Sequence, residues 1–132
     1  MLSRNAVPSN IVERLKREAE ELGLALDEYL AELALQKLDP SQRAVEYISA
    51  AKELLEQAKE ELARGDVRQA ADKLWGATAL AIKAYASWRD GKRLTSHRDL
   101  WDYEKIVARE LGKRVYDSWM SGQGMHICFH EG

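Results

Sequence analysis

The sequence predicts an all-α protein in which an N-terminal helical hairpin precedes an antiparallel helix bundle. Apolar residues recur at three- and four-residue spacing along most of the 132 residues, which is the period of amphipathic helices. Residues 67–88 carry apolar side chains on most of the helical circumference, so this segment is expected inside a bundle. Gly65-Asp66 before it leaves a two-residue connection, which forces the neighbouring helices to run antiparallel. We therefore expect the hairpin over residues 1–38 and the bundle over residues 39–132.

The N-terminal hairpin is predicted from two apolar stripes with helix start and stop signals. Asn10 followed by Glu13 indicates a capping box at the start of the first helix, and Gly23 indicates its end. The apolar stripe of this helix consists of Ile11, Leu15, Ala19 and Leu22. Asp27 is expected to cap the second helix. The predicted buried side of the second helix consists of Leu30, Ala31, Ala34, Leu35 and Leu38.

The third and fourth helices are predicted to be the longest and to pack against each other. Asp39 as N-cap before Pro40 predicts the start of the third helix, which continues to Arg64. Its apolar residues have heptad-like spacing: Ala44, Tyr47, Ile48, Ala51, Leu54, Leu55, Ala58 and Leu62. Asp66 caps the fourth helix. Gly76 inside that helix costs about 1 kcal/mol relative to alanine, so we expect a close helix crossing there.

We interpret the charged side chains on these two helices as structural rather than catalytic. Asp72 and Lys83 interrupt the apolar fourth helix on one stripe, too far apart to pair with each other. Buried charges are costly without partners, so each is expected to reach the surface or to pair across an interface. The third helix has an acidic face that we interpret as solvated, made of Glu46, Glu53, Glu56 and Glu60.

The remaining chain is predicted to be helical as well. Ser96 with Asp99 indicates a capping box at the start of a fifth helix, which ends or kinks at Gly112. Residues 113–120 are expected to form a sixth, short helix, and residues 125–130 form an apolar tail. Residues 2–7 could form a short strand.

Composition excludes some classes of protein and favours others. The formal net charge of −2 gives no global electrostatic reason to bind nucleic acid or acidic membranes. Cys128 is the single cysteine, so no intrachain disulfide is possible, which fits a reducing cytosol. The N-terminus lacks an apolar signal core, and the most apolar stretch is shorter than the roughly 20 residues of a membrane-spanning helix. We therefore expect a cytoplasmic protein without membrane association.

Three local features resemble a known superfamily. They are the Gly65-Asp66 turn, the run Leu74-Trp75-Gly76-Ala77, and the Ser96-His97 segment that opens a further helix. From about Tyr47 onward, the chain on this basis resembles a HEPN-type helical domain. It is more closely similar to the archaeal PaREP family, nearly end to end, including residues 26–30 and 125–132. The resemblance implies a HEPN-like bundle and carries over no assigned biochemical activity.

The sequence departs from the motif of the HEPN ribonucleases. In that superfamily, many nucleases use an arginine, four to six further residues, and then a histidine. The nearest arginine before His126 is Arg114, which is too distant, and nothing basic precedes His130 at that spacing. Lys92 stands at a suitable spacing before His97, but this pair lies in a different element. We therefore predict no catalytic residue, and an enzymatic function is not favoured.

The densest basic region is the turn between the fourth and fifth helices. Free N–H groups at a helix start favour anions, and the helix dipole there disfavours a protonated histidine. The alternative is that these side chains only cap and pack locally. We name five residues as the candidate site for a nucleotide or an RNA phosphate: Arg89, Lys92, Arg93, His97 and Arg98.

No cofactor and no metal site is predicted. His126 and His130 would share one face of a helix, and Cys128 and Glu131 are also metal-capable. Two histidines nevertheless leave such a site short of ligands.

The favoured function is a non-catalytic helical binding or interaction module that forms a homodimer. A small domain gains stability from oligomerisation, and exposed aromatic residues would mark the dimer surface. One alternative is a HEPN-like ribonuclease or toxin/antitoxin-type component acting through His97. Another is DNA binding through a ribbon-helix-helix-like N-terminus. Residues 1–38 carry 5 basic and 7 acidic residues, a net charge of −2, which disfavours DNA because phosphate contacts need cations.

Overall fold

A computed structural model of the protein describes residues 7–112, which form five helices and no strand. The helices are α1 (Ser9–Glu21), α2 (Leu26–Leu35), α3 (Pro40–Ala63), α4 (Val67–Asp90) and α5 (His97–Leu111). The all-α prediction is confirmed for this part of the chain. The strand predicted for residues 2–7 lies outside it except for Val7, and the sixth helix and the apolar tail lie wholly outside it.

The two long helices are capped as the sequence predicts and lie side by side. The Asp39 and Asp66 carboxylates accept hydrogen bonds from the backbone N–H groups of Gln42 and Gln69, at 2.9 and 3.0 Å. Ser87, near the end of α4, donates its hydroxyl to the carbonyl of Pro40, at the start of α3. The end of one helix therefore meets the start of the other, so α3 and α4 run in opposite directions.

Gly76 lies at a tight contact between these two helices. A Cβ atom at this position would stand 3.1 Å from Cδ1 of Leu54, which is tighter than ordinary van der Waals contact. The prediction of a close helix crossing is therefore confirmed.

The apolar core has two parts, one on each side of α4. The part between α3 and α4 contains Tyr47, Ala51, Leu54, Ala77, Leu80 and Ala84. The part between α4 and α5 contains Trp75, Ala79, Ile82, Ala86, Leu94, Leu100, Tyr103 and Val107. Helix α4 is buried on both sides, because alanine and glycine let its neighbours approach closely.

Two predicted caps in the N-terminal hairpin are wrong. Helix α1 begins at Ser9 after Pro8, and no side chain caps it, so the Asn10 capping box does not form. Asp27 lies inside the first turn of α2 after an Ala25 N-cap, and its carboxylate is 3.3 Å from Nζ of Lys73. There it interacts favourably with the positive end of the helix dipole.

The stop and start signals in the rest of the described chain are confirmed. Gly23 follows α1 with φ +72°, and Gly112 follows α5 with φ +106°, a backbone region that favours glycine. The Ser96 hydroxyl accepts a hydrogen bond from the Asp99 backbone N–H at 3.0 Å. Among residues 7–112, no helix is long and apolar enough to cross a membrane.

The predicted buried side of α2 is only partly right. Leu30 is 38% exposed and Ala34 is also exposed, whereas Glu28 and Glu32 are almost completely buried. Burial of two carboxylates requires partners, and these come from α3, α4 and the segment after α4, as described below.

Valine at position 76 is expected to destabilise the fold by about 1–3 kcal/mol, because a branched side chain overpacks the crossing with Leu54. Urea unfolding of the Gly76→Val variant measures this effect. Lys52→Val, at an exposed position of α3, is the matched control for β-branching in a helix. An equal loss in the two variants would contradict a tight crossing.

Candidate functional site

The predicted basic turn lies at the end of α4 and the start of α5, where much of its charge is paired. The Arg89 guanidinium is 2.7 Å from a carboxylate oxygen of Asp90 and 2.6 Å from one of Glu110. Asp90 also accepts a hydrogen bond from the Tyr103 hydroxyl at 2.6 Å, which lowers the pKa of Asp90. Arg89 is therefore held by two carboxylates.

The other four residues of this turn have different surroundings. Arg93 lies 3.2 Å from a carboxylate oxygen of Glu32, which is 61 residues away in the sequence. Nε2 of His97 accepts a hydrogen bond from Trp101 at 2.8 Å, and its ring lies 6.2 Å from that of Trp75. Lys92 and Arg98 are exposed and form no salt bridge within residues 7–112. Binding of a phosphate by these five residues stays a prediction.

A buried ionic cluster, which the sequence does not predict, lies beside this turn. Lys83 is 1% exposed, and its Nζ stands 2.7 Å from Glu32 and 3.2 Å from Glu28. The same ammonium donates to the backbone carbonyl of Leu94 at 2.7 Å. The expectation that Lys83 reaches the surface is wrong; it pairs instead with two carboxylates of α2, across the contact between the N-terminal hairpin and the bundle.

Glu32 is the central acceptor of this cluster. One of its carboxylate oxygens accepts hydrogen bonds from Lys83 at 2.7 Å and from the Tyr47 hydroxyl at 2.5 Å. The other oxygen accepts from Arg93 at 3.2 Å. Burial raises the pKa of Tyr47, and the hydrogen bond to Glu32 raises it further. The phenol is therefore a fixed donor at neutral pH.

Glu28 is the second carboxylate of the cluster, and burial disfavours its charged form. Burial raises the pKa of its carboxyl, although the nearby Lys83 charge acts in the opposite direction. The one sequence signal for this arrangement is that Glu28 and Glu32 stand four residues apart and so share a face of α2. Through Tyr47 and Lys83, this face of α2 contacts α3 and α4, which lie beyond the predicted domain boundary at residue 38. The cluster ties the N-terminal hairpin to the bundle.

A second buried carboxyl lies on α5. Glu104 is completely buried, and its two carboxylate oxygens have no hydrogen-bond partner among residues 7–112. Burial raises the pKa of this carboxyl.

An apolar groove opens on the outer surface between α3 and α4. Its volume is about 400 Å³, and it is lined by Ala44, Val45, Ile48, Ala81, Ala84, Tyr85 and Trp88. Trp88 is 69% exposed and Val45 is 67% exposed. The Tyr85 hydroxyl donates to Glu110 at 2.5 Å, and its ring meets Trp88 edge-on. This aromatic pair forms one wall of a groove that has no charged lining residue.

No three His, Cys, Asp or Glu side chains within residues 7–112 are grouped so that they could hold a metal ion. The histidines at positions 126 and 130, with Cys128 and Glu131, lie outside that range.

Comparison with known proteins gives one match. The sequence model of the archaeal PaREP1/PaREP8 family matches residues 46–132, which include α4, α5 and most of α3. No curated protein and no solved structure shows significant similarity to the chain. Tyr47, Lys83 and Arg93 lie within the matched range, whereas Glu28 and Glu32 precede it.

Lys83→Met is expected to cost about 3–5 kcal/mol of stability, because it leaves two buried carboxylates without their cation. Lys73→Met is the matched control, since it breaks the partly exposed pair with Asp27 and should cost only about 0–1 kcal/mol. Urea unfolding measures both values. Equal effects would show that the buried pairing does not hold the hairpin in place.

The Glu104→Gln variant is expected to be more stable than wild type at neutral pH. Because the folded state raises the Glu104 pKa, the stability from this group is fully present below its ordinary value of 4.5. That stability is lost as the pH rises through the raised pKa. Unfolding between pH 4 and 8 should therefore show the stabilities of the two proteins converging in acid and diverging as the pH rises.

Glu60→Gln, at an exposed site on α3, is the control for removal of one carboxylate. A constant difference between Glu104→Gln and wild type across this pH range would contradict ionisation of a buried Glu104.

Proposed function

We propose that this protein, which belongs to the archaeal PaREP1/PaREP8 family, is a non-catalytic helical interaction module that forms a homodimer through the groove between α3 and α4. The observation that supports this proposal is the exposure of Trp88 beside an apolar pocket. Aromatic residues are enriched where proteins associate, and tryptophan is among the residues that most often carry the binding energy.

The shape of this surface favours a second copy of the chain as the occupant. A protruding indole and a hollow lined by Ala44, Ala81 and Ala84 lie on the same face. A two-fold dimer uses the same patch on both subunits, so a patch needs both a knob and a hole to complement itself. Trp88 of each subunit would enter the alanine-lined hollow of the other.

The scaffold that carries this surface is, on our proposal, a HEPN-like bundle in which α3 and α4 form the central antiparallel pair. The short turn at Gly65-Asp66 and the close crossing at Gly76 support that assignment. We place the protein in the cytoplasm, because the lone Cys128 leaves no intrachain disulfide to maintain.

We do not advance the nuclease or the DNA-binding alternative. The histidines at positions 126 and 130 and the strand proposed for residues 2–7 fall almost entirely outside residues 7–112. His97 accepts a hydrogen bond from Trp101 and packs near Trp75, which suits a structural histidine. Phosphate binding at the basic turn would now depend mainly on Lys92 and Arg98.

Trp88→Glu is expected to convert the dimer to a monomer while keeping the helical fold, because Trp88 is 69% exposed and lies outside the core. Light scattering coupled to size exclusion at micromolar concentration measures the mass, and circular dichroism checks the fold. A loss of about 100-fold or more in dimer affinity is typical of a buried aromatic anchor.

Leu62→Glu is the matched control, because Leu62 is 60% exposed on the same helix pair. It lies about 25 Å along α3 from Val45, from the 1.5 Å rise per residue of a helix. This variant should stay dimeric. A wild-type monomer at micromolar concentration, or equal effects of the two variants, would exclude the proposed interface.

A further inference from the structure

A second groove lies between α2 and α3. Its volume is about 350 Å³. Most of its lining is apolar, and Leu30 and Ala34 within it are exposed to solvent. The apolar lining residues are Leu30, Ala31, Ala34, Leu35, Ala50, Leu54 and Leu80, and the polar ones are Asp27, Glu46, Glu53 and Gln57. We call this groove the α2–α3 cleft.

The cleft lies between one face of α2 and one face of α3. On α3, Glu46, Ala50, Glu53 and Gln57 follow one another at four- and three-residue spacing, so they line a single face. The facing residues of α2 repeat in the same way from Asp27 to Leu35. Val45 and Ile48, which line the proposed dimer groove, lie on the opposite flank of α3. The two surfaces can therefore be occupied independently.

The charge of the cleft has one sign. No lysine or arginine lines it, whereas Asp27, Glu46 and Glu53 do. The Asp27 carboxylate forms a salt bridge with Nζ of Lys73 at 3.3 Å. Glu46 and Glu53 are exposed and form no salt bridge within the described residues. An apolar floor with an anionic rim repels nucleic acid and acidic membranes and attracts cationic groups.

We propose that the α2–α3 cleft binds a cationic amphipathic helix of a partner protein. An amphipathic helix places apolar anchors three, four and seven residues apart into such a groove. Its flanking lysines or arginines would pair with Glu46 and Glu53, which are two helical turns apart on α3. The ten residues of α2 span about 15 Å, so the bound segment has about three turns.

A synthetic peptide is the direct probe of this site. It carries leucines at three- and four-residue spacing on one face, lysines on the others, and a fluorescent label at one end. Fluorescence anisotropy during titration with the full-length protein should show saturable binding that weakens with added salt. The same peptide with glutamate in place of lysine should not bind, because like charges meet at the rim.

Charge reversal on the rim tests the location. Glu46→Lys with Glu53→Lys should weaken binding of the cationic peptide by about tenfold or more, since two attractive pairs become repulsive. Glu56→Lys with Glu60→Lys changes the net charge equally at exposed positions of α3 that do not line the cleft. This control should change the affinity by less than about threefold. Equal effects of the two double variants would overturn the proposal, as would the absence of saturable binding.

A steric variant tests the floor separately. Ala34 is exposed, so arginine at this position leaves the core intact while it fills the cleft. Ala34→Arg should abolish binding of the peptide, with an unchanged circular dichroism spectrum and an unchanged dimer mass. Wild-type affinity in this variant would place the peptide elsewhere. Loss of peptide binding in Trp88→Glu alone would assign it to the groove between α3 and α4, and would also overturn the inference.

Discussion

The buried ion pairing of Lys83 with Glu28 and Glu32 is the constraint on which the arrangement of this protein depends. An ammonium group that is 1% exposed has lost its hydration, and only close carboxylates and a carbonyl can replace it. Those carboxylates belong to α2, and the carbonyl of Leu94 belongs to the segment before α5. Helix α4 therefore fixes the positions of both neighbouring segments through one side chain.

The pairing of these charged groups determines how much free charge remains at the surface of the molecule. Arg93 is directed to Glu32, and Arg89 is held between Asp90 and Glu110, so the basic turn presents less free positive charge than its composition indicates. The two grooves that border α3 differ in character. The groove between α3 and α4 is apolar and aromatic around Trp88, and the α2–α3 cleft has an acidic rim. On our proposals, both surfaces bind other protein chains.

The family match covers only some residues of the ionic cluster. The matched residues 46–132 contain the cationic members of the cluster, Lys83 and Arg93, whereas the carboxylates come from α2 before that range. A bundle without α2 would leave the Lys83 ammonium buried and unpaired, or exposed. The N-terminal hairpin is thus an electrostatic part of the bundle, and it also supplies one wall of the α2–α3 cleft.

The sequence by itself determined the helical elements wherever the signal is local. Asp39, Asp66 and Ser96 cap the backbone N–H group three residues ahead, so pattern and structure coincide there. The signal failed at Asn10, because Pro8 is the N-cap and the helix starts two residues earlier, at Ser9. Only the tertiary structure decided which polar groups meet. Glu32 pairs with Lys83 and Arg93 at separations of 51 and 61 residues, and no local hydrogen-bonding preference encodes such a contact. Helix periodicity places a charge on a face, but the packing of whole helices decides what that face touches.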